Sequence, residues 1–230
     1  MAKRYTVGKK ETLKQVAREQ MGDQTLANVL ADYNGIVGKR QLVAGEVVEI
    51  PSKKDLAPSR AARPRAAAWP AVPRGLQEVL QTFGNLYDYV RDDGSVDPRW
   101  ESENMVLVPL PFALPLDWDP AKSVTRVRCH KLLAPLYQEV FGQIVAQNLK
   151  STLKTYGGAY QYRAKRNGAK PSTHSWGIAI DFNVRTNAMG TSGDMDPRLV
   201  ALMERFGFVW GGRWAGRGKD PMHFQYCTGY

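Results

Sequence analysis

The sequence predicts an α+β protein with two folded units, and three patterns carry that prediction. Residues 1–51 run strand, helix, helix, strand. A long amphipathic stretch from Thr125 to Gly158 reads as the main helix of a second unit. Two short segments near the C-terminus, "IAIDFNV" and "HFQY", alternate apolar and polar residues as strands do. Between the units, residues 52–75 are rich in Ala, Pro and Arg. Pro58, Pro64, Pro70 and Pro73 forbid a continuous helix there, so the segment reads as an extended, semi-rigid linker.

In the N-terminal unit, "RYTVG" reads as a short strand. "ETLKQVAREQMG" sets Leu13, Val16, Ala17 and Gln20 at helical spacing and stops at Gly22, a C-cap. "TLANVLADYNG" puts Leu26, Val29, Leu30 and Tyr33 on one helical face. A turn at Ala44-Gly45 leads into an edge strand that Pro51 ends. The C-terminal unit, residues 76–230, opens with a helix from Gly75 to about Asp93 that sets Leu76, Val79, Leu80 and Phe83 on one face. "ENMVLVPLPFALPLDW" is extended and runs along the domain surface. The stretch from Thr125 repeats Leu132, Leu136, Val140, Phe141, Ile144, Val145 and Leu149 at three- and four-residue steps, and Gly157-Gly158 ends it. His130 at its start reads as a partly buried, hydrogen-bonded side chain.

Composition narrows the function. Hydrophobic residues make up 43% and charged residues 23%, the proportions of an ordinary soluble globular protein. No apolar run approaches the roughly 20 residues that span a bilayer, so no transmembrane segment is expected. "MAKRYTVGKKETL" lacks the apolar core of a secretory signal, which predicts synthesis in the cytoplasm without one. The net charge of +10 is uneven, with +2 in residues 1–51, +5 in 52–75 and +3 in 76–230. Such a basic linker suits an anionic wall or membrane surface, while no nucleic-acid-binding motif accompanies it and no nucleic-acid partner is expected. Cys129 and Cys227 read as core thiols, with a single long-range bridge as the other reading. The chain is expected to be a monomer.

The chemistry is concentrated in two segments. In "STHSWGIAIDF", Ile178, Ile180 and Phe182 point to one side of a strand and Ala179, Asp181 and Asn183 to the other. Ala179 would leave open space in front of Asp181. His174 lies seven residues before Asp181, an odd spacing that excludes a shared face on a straight strand. Gly177 supplies a bend that could bring the imidazole round. In "GKDPMHFQY", His223 and Gln225 share a strand face, and Asp220 lies three residues before His223 with Pro221 between. Pro221 disfavours helix at Asp220, which excludes the helical H-E-x-x-H arrangement. Two histidines and a carboxylate are a common catalytic zinc set that leaves a fourth position for water. A further carboxylate that does not bind metal serves as base and then acid. His174, Asp181 and His223 suit the first role and Asp220 the second.

These motifs, "S-x-H-x-x-G-x-A-x-D" filled by Ser172, His174, Gly177, Ala179 and Asp181, and "[DE]-x-x-H" filled by Asp220 and His223, resemble those of the M15 peptidases. That family comprises D-alanyl-D-alanine carboxypeptidases and L-alanyl-D-glutamate endopeptidases of peptidoglycan. The likeness covers roughly residues 120–227. It implies Zn²⁺ held by His174, Asp181 and His223, Asp220 as catalytic base, and a Hedgehog/DD-peptidase-like antiparallel sheet with packed helices. It also points to Arg163 in "GGAYQYRAKR" as the holder of a substrate carboxylate or of the developing oxyanion. Trp176, Trp210 and Trp214 either wall the cleft or pack in the core, and Ser172 and Gln225 orient the ligands. The N-terminal βααβ order, with Tyr5-Thr6-Val7, Thr12-Leu13, Val16-Ala17, Asn34, Leu42, Gly45 and Ile50-Pro51, resembles a LysM domain, a small peptidoglycan- and chitin-binding module. Lys10-Glu11 stand where that family usually has Gly-Asp.

The expected function is therefore hydrolysis of peptidoglycan stem peptides at the cell wall, by a phage endolysin, a virion-associated lysin or injected cargo. The cleaved bond is left open between the carboxypeptidase and endopeptidase types. The alternative is a non-catalytic wall-binding protein on a peptidase-like scaffold.

Overall fold

The computed structural model describes residues 3–22, 24–34, 36, 42–51, 69–165 and 170–230. The chain divides into two compact units, Met1–Ala66 and Ala67–Tyr230. Among the described residues no helix is long and apolar enough to cross a membrane.

In the first unit, strand β1 (Lys3–Thr6) pairs antiparallel with β2 (Val47–Ile50), Lys3 facing Ile50 and Thr6 facing Val47. Helix α1 (Leu13–Met21) starts in a reciprocal capping box between Thr12 and Gln15 and ends at Gly22, whose φ of 79° suits glycine. Helix α2 (Ala27–Tyr33) follows a short 3₁₀ turn at Gln24–Leu26. Val16, Ala17, Leu30, Val48 and Ile50 form the buried core, and Tyr33 stands outside it, 42% exposed. Asn34 joins α2 to the sheet: its amide donates to the Glu49 carbonyl at 2.8 Å, and its oxygen accepts from the Glu49 amide at 2.6 Å.

The second unit opens on α3 (Gly75–Phe83), followed by a 3₁₀ turn at Leu86–Tyr89. Helix α4 (Pro98–Asn104) leads into β3 (Met105–Pro115), which pairs antiparallel with β4 (Ser123–His130). The main helix, α5, covers only Ala134–Ala146. A four-stranded antiparallel sheet follows, in the order β5 (Tyr156–Gly158), β6 (Ala179–Phe182), β8 (His223–Gln225) and β7 (Val209–Trp210). Helix α6 (Pro197–Arg205) begins at Asp196, whose side chain caps Arg198 N. Ile180, Phe182 and Phe224 turn from this sheet into a core shared with Phe141 and Leu199.

Three expectations are corrected. The stretch from Thr125 does not start as helix, because Val127 and Cys129 alternate inward and pair with Val108 and Val106. Helix begins only where Pro135 can occupy the first turn, and Leu132 and Val145 lie off its buried side, 40% and 45% exposed. "ENMVLVPLPFALPLDW" is not a surface run, since β3 buries Val108, Phe112 and Leu114 and shifts register between Pro109 and Leu114. Residues 69–75, read as linker, pack on the second unit: the Tyr226 hydroxyl donates to Pro70 O at 2.8 Å, and Gly75 N donates to Thr228 O at 2.7 Å. Residues 52–68, which hold Pro58 and Pro64, lie outside the described residues. Cys129 and Cys227 are both buried and free. His130 is buried, its Nε2 lying 3.0 Å from Phe83 O and its Nδ1 accepting from Leu132 N.

Candidate metal centre

Register brings two of the predicted ligands together. Asp181 on β6 and His223 on β8 are directly opposed across an antiparallel pair, so their side chains emerge on the same face. The other face of each strand, Ile180 and Phe224, is sealed in the core. The third ligand arrives on a turn. Ser172 caps a 3₁₀ turn at Thr173–Trp176, and Gly177 reverses the chain at φ 65° before β6 begins. A Cβ at Gly177 would lie 2.7 Å from Met105 Sδ and 2.8 Å from His130 N, so both the backbone angle and the packing demand glycine. Trp100 holds the same turn from behind, its indole N–H donating to Ser175 O at 3.1 Å.

The three donor atoms converge. His223 Nδ1 is 2.9 Å from Asp181 Oδ1, His174 Nε2 is 3.2 Å from the same oxygen, and the two ring nitrogens are 3.1 Å apart. A tetrahedral shell with bonds of about 2.0–2.2 Å would separate its ligand atoms by roughly 3.3–3.6 Å, so a small outward adjustment fits this set to a metal ion. The outer partners agree. His174 Nδ1 faces Ala159 O at 2.9 Å, and His223 Nε2 faces Gln225 Oε1 at 3.2 Å. Each outer contact offers an acceptor for the ring's outer N–H, the arrangement that would free the inner nitrogen for a metal ion. Burial alone would raise Asp181's pKa, but the His174 and His223 rings overcome it and hold the carboxyl well below the usual range. Burial would also lower His223, yet hydrogen bonding and charge from Asp181, then Asp220's charge, leave its pKa raised. The donor set is compatible with a metal site, and His174, Asp181 and His223 could hold the ion.

A cleft of about 270 Å³ opens over this face. Asp220 lines it, on the turn before β8, where its carbonyl accepts from His223 N at 3.1 Å and its amide donates to Gly211 O at 2.9 Å. A Cβ at Gly211 would come within 2.5 Å of Asp220 O, so glycine permits that approach. Arg163 lines the cleft too, its carbonyl accepting from Ser172 N at 2.8 Å.

The tryptophans divide. Trp214 lines the cleft, its ring centroid 5.6 Å from that of His223. Trp176 is wholly buried and donates to Gly84 O, and Trp210 donates to Pro221 O while stacking on Phe224. Neither walls the cleft, because each ring is taken up by packing behind the sheet. Ala179 is not a gap for substrate either; it is fully buried opposite Gln225. Ser172 touches the His174 backbone amide at 3.4 Å rather than its ring, so it positions the turn, whereas Gln225 meets the ligand ring itself. Thr173, which donates to Gln225 Oε1, and Lys165, Met189, Met222 and Tyr230 on the cleft wall were not foreseen. No motif marks them, although Thr173 adjoins a predicted ligand.

Residues 166–226 match a family model of M15 peptidases described as D-alanyl-D-alanine carboxypeptidase. No curated protein and no solved structure matches the chain.

Proposed function

We propose, from the premise that residues 166–226 are those of an M15 family peptidase, that the chain is a zinc-dependent hydrolase of amide bonds in peptidoglycan stem peptides. The observation that carries this reading is the convergence of His174, Asp181 and His223, with Asp181 and His223 lining a cleft that a second acidic side chain, Asp220, also lines. A purely structural metal site has no use for that additional carboxylate, which favours an enzyme over a wall-binding scaffold.

A zinc ion in this group would supply a water of pKa near ~7 and a Lewis acid for the scissile carbonyl. The chain's own residues do the rest. Asp181 stays ionised, and Gln225 and Ala159 offer acceptors to the outer ring nitrogens of His223 and His174. Asp220 takes the proton of the attacking water on its carboxylate and returns it to the leaving amine nitrogen. Arg163 offers a fixed fork of N–H donors to the oxyanion or to a substrate carboxylate. Trp214 covers one side of His223 and limits water there.

The N-terminal unit is proposed to be LysM-like and to hold the enzyme on wall glycan, raising local substrate concentration without touching the active site. Its βααβ order and the Asn34 bridge between α2 and β2 support this. Glu11, at the position where the sequence departs from the LysM pattern, is engaged by Tyr5 Oη and Gly8 N. The reading puts the protein's action at the cell wall, in the manner of an endolysin, a virion-associated lysin or injected cargo.

The test is incubation of the zinc-loaded full chain with peptidoglycan sacculi, with and without chelator, scored as new amino termini. Mass spectrometry of the products then assigns the bond. Release that Asp220→Ala and chelator each abolish supports the reading, and no release from the zinc-loaded protein overturns it.

A further inference from the structure

Two cations line the cleft together with Asp181 and His223. Arg163 and Lys165 both line the cleft and are both partly buried. Among the described residues neither meets a carboxylate, and the intervening sequence Arg166–Ala169 contains no acid. Arg99, Arg198 and Arg213 of this unit, by contrast, are paired, with Asp97, Asp196 and Glu204.

Their placement is fixed by the same turn that presents His174. Arg163 N donates to Ser175 Oγ at 3.1 Å, Ala164 pairs antiparallel with Pro171, and Lys165 N donates to Lys170 O at 2.9 Å. Residues 163 and 165 therefore alternate along an extended arm and face the same side. The Lys165 ammonium rests 3.6 Å from the centroid of the Tyr230 ring. That ring is held by its hydroxyl, which donates to Pro171 O at 2.6 Å, and by its edge against Trp176. A ring face is a weak partner for a partly desolvated ammonium, and a carboxylate is a stronger one.

We propose that Lys165 is a specificity-determining residue of this cleft, its ammonium accepting a free carboxylate on the substrate near the scissile amide. This rests on the peptidase reading and deepens it: the substrate class becomes an acidic stem peptide, with Arg163 left to the reacting group. The flexible lysine stem lets the ammonium leave the Tyr230 face for the incoming carboxylate while the arm stays bonded to the His174 turn.

The probes are the stem pentapeptide L-Ala-γ-D-Glu-L-Lys-D-Ala-D-Ala with its carboxylates free, and two copies amidated at the glutamate or at the C-terminus. Binding to the zinc-loaded full chain is measured by calorimetry alongside hydrolysis. The wild type is expected to bind one amidated copy about tenfold more weakly than the acid. Lys165→Met should remove that preference, and Lys165→Arg should keep it, which separates lost charge from lost folding. Equal binding of all three peptides by the wild type, or a preference that survives Lys165→Met, overturns the assignment. A preference with no hydrolysis of any peptide would sink the peptidase reading and leave Lys165 standing.

Discussion

Gln225 Oε1 lies 3.2 Å from Nε2 of His223, on the side of the ring away from Asp181. Gln225 is oriented in turn by its amide, which donates to Cys227 O at 3.2 Å, and by Thr173, whose hydroxyl donates to the same Oε1 at 3.3 Å. This chain holds an acceptor oxygen against the outer nitrogen of the His223 ring. Gln225→Leu is therefore expected to weaken zinc affinity by about 10–100-fold, with Gln225→Glu, which keeps an acceptor oxygen, losing less. Competition against a chromophoric chelator measures it. Equal affinity for wild type and Gln225→Leu would show that the contact orients nothing.

The site was more legible than the fold around it, for reasons visible in single residues. Alternation with period two placed Ile180 and Phe182 in the core and Asp181 outside it, and the odd spacing from His174 forced a bend that only Gly177 could make. The helix expected from Thr125 failed because apolar residues at three- and four-residue steps also occur in a strand whose alternate positions are buried. Pro135 marks where the helix can begin. Trp176, Trp210 and Trp214 could not be told apart, since the side an indole takes depends on neighbours remote in sequence such as Gly84 and Pro221. The Ala159 carbonyl that orients His174 is backbone and leaves no trace in residue identity.

Asp220 lines the cleft without belonging to the convergent ligand group. Asp220→Asn should lower hydrolysis by about 10²–10⁴-fold, the usual worth of a general base, while leaving one zinc per chain. Metal content and turnover are measured on the same preparation. Loss of zinc together with activity would make Asp220 a ligand and remove it as the proton carrier.

The raised pKa of His223 sets a pH dependence for the metal. A proton on His223 competes with the ion, so apparent zinc affinity should fall about tenfold for each pH unit below that pKa. Asp181 stays ionised across this range because its own carboxyl is held low. In metal-free protein the sign is reversed: the protonated His223–Asp181 pair stabilises the fold at low pH, and that contribution is lost as pH rises through the raised pKa. The rise in Tm on adding zinc should therefore grow between pH 6 and pH 8. A zinc-induced shift of the same size at both pH values would argue against it.

His130 supplies a second titration, away from the cleft. Burial lowers its pKa from 6.5 to about 4, with the hydrogen bond to Phe83 O opposing and Lys131 assisting. The unfolded chain thus binds this proton first, so stability is full above pH 6.5 and is lost as pH falls towards 4. The loss is on the order of 3 kcal/mol. Urea midpoints of wild type and His130→Gln should differ most near pH 7 and draw together by pH 4. Because the cleft is the same in both proteins, the difference between them isolates His130. A gap that does not change with pH would mean that folding leaves the pKa of His130 where it stands in the unfolded chain.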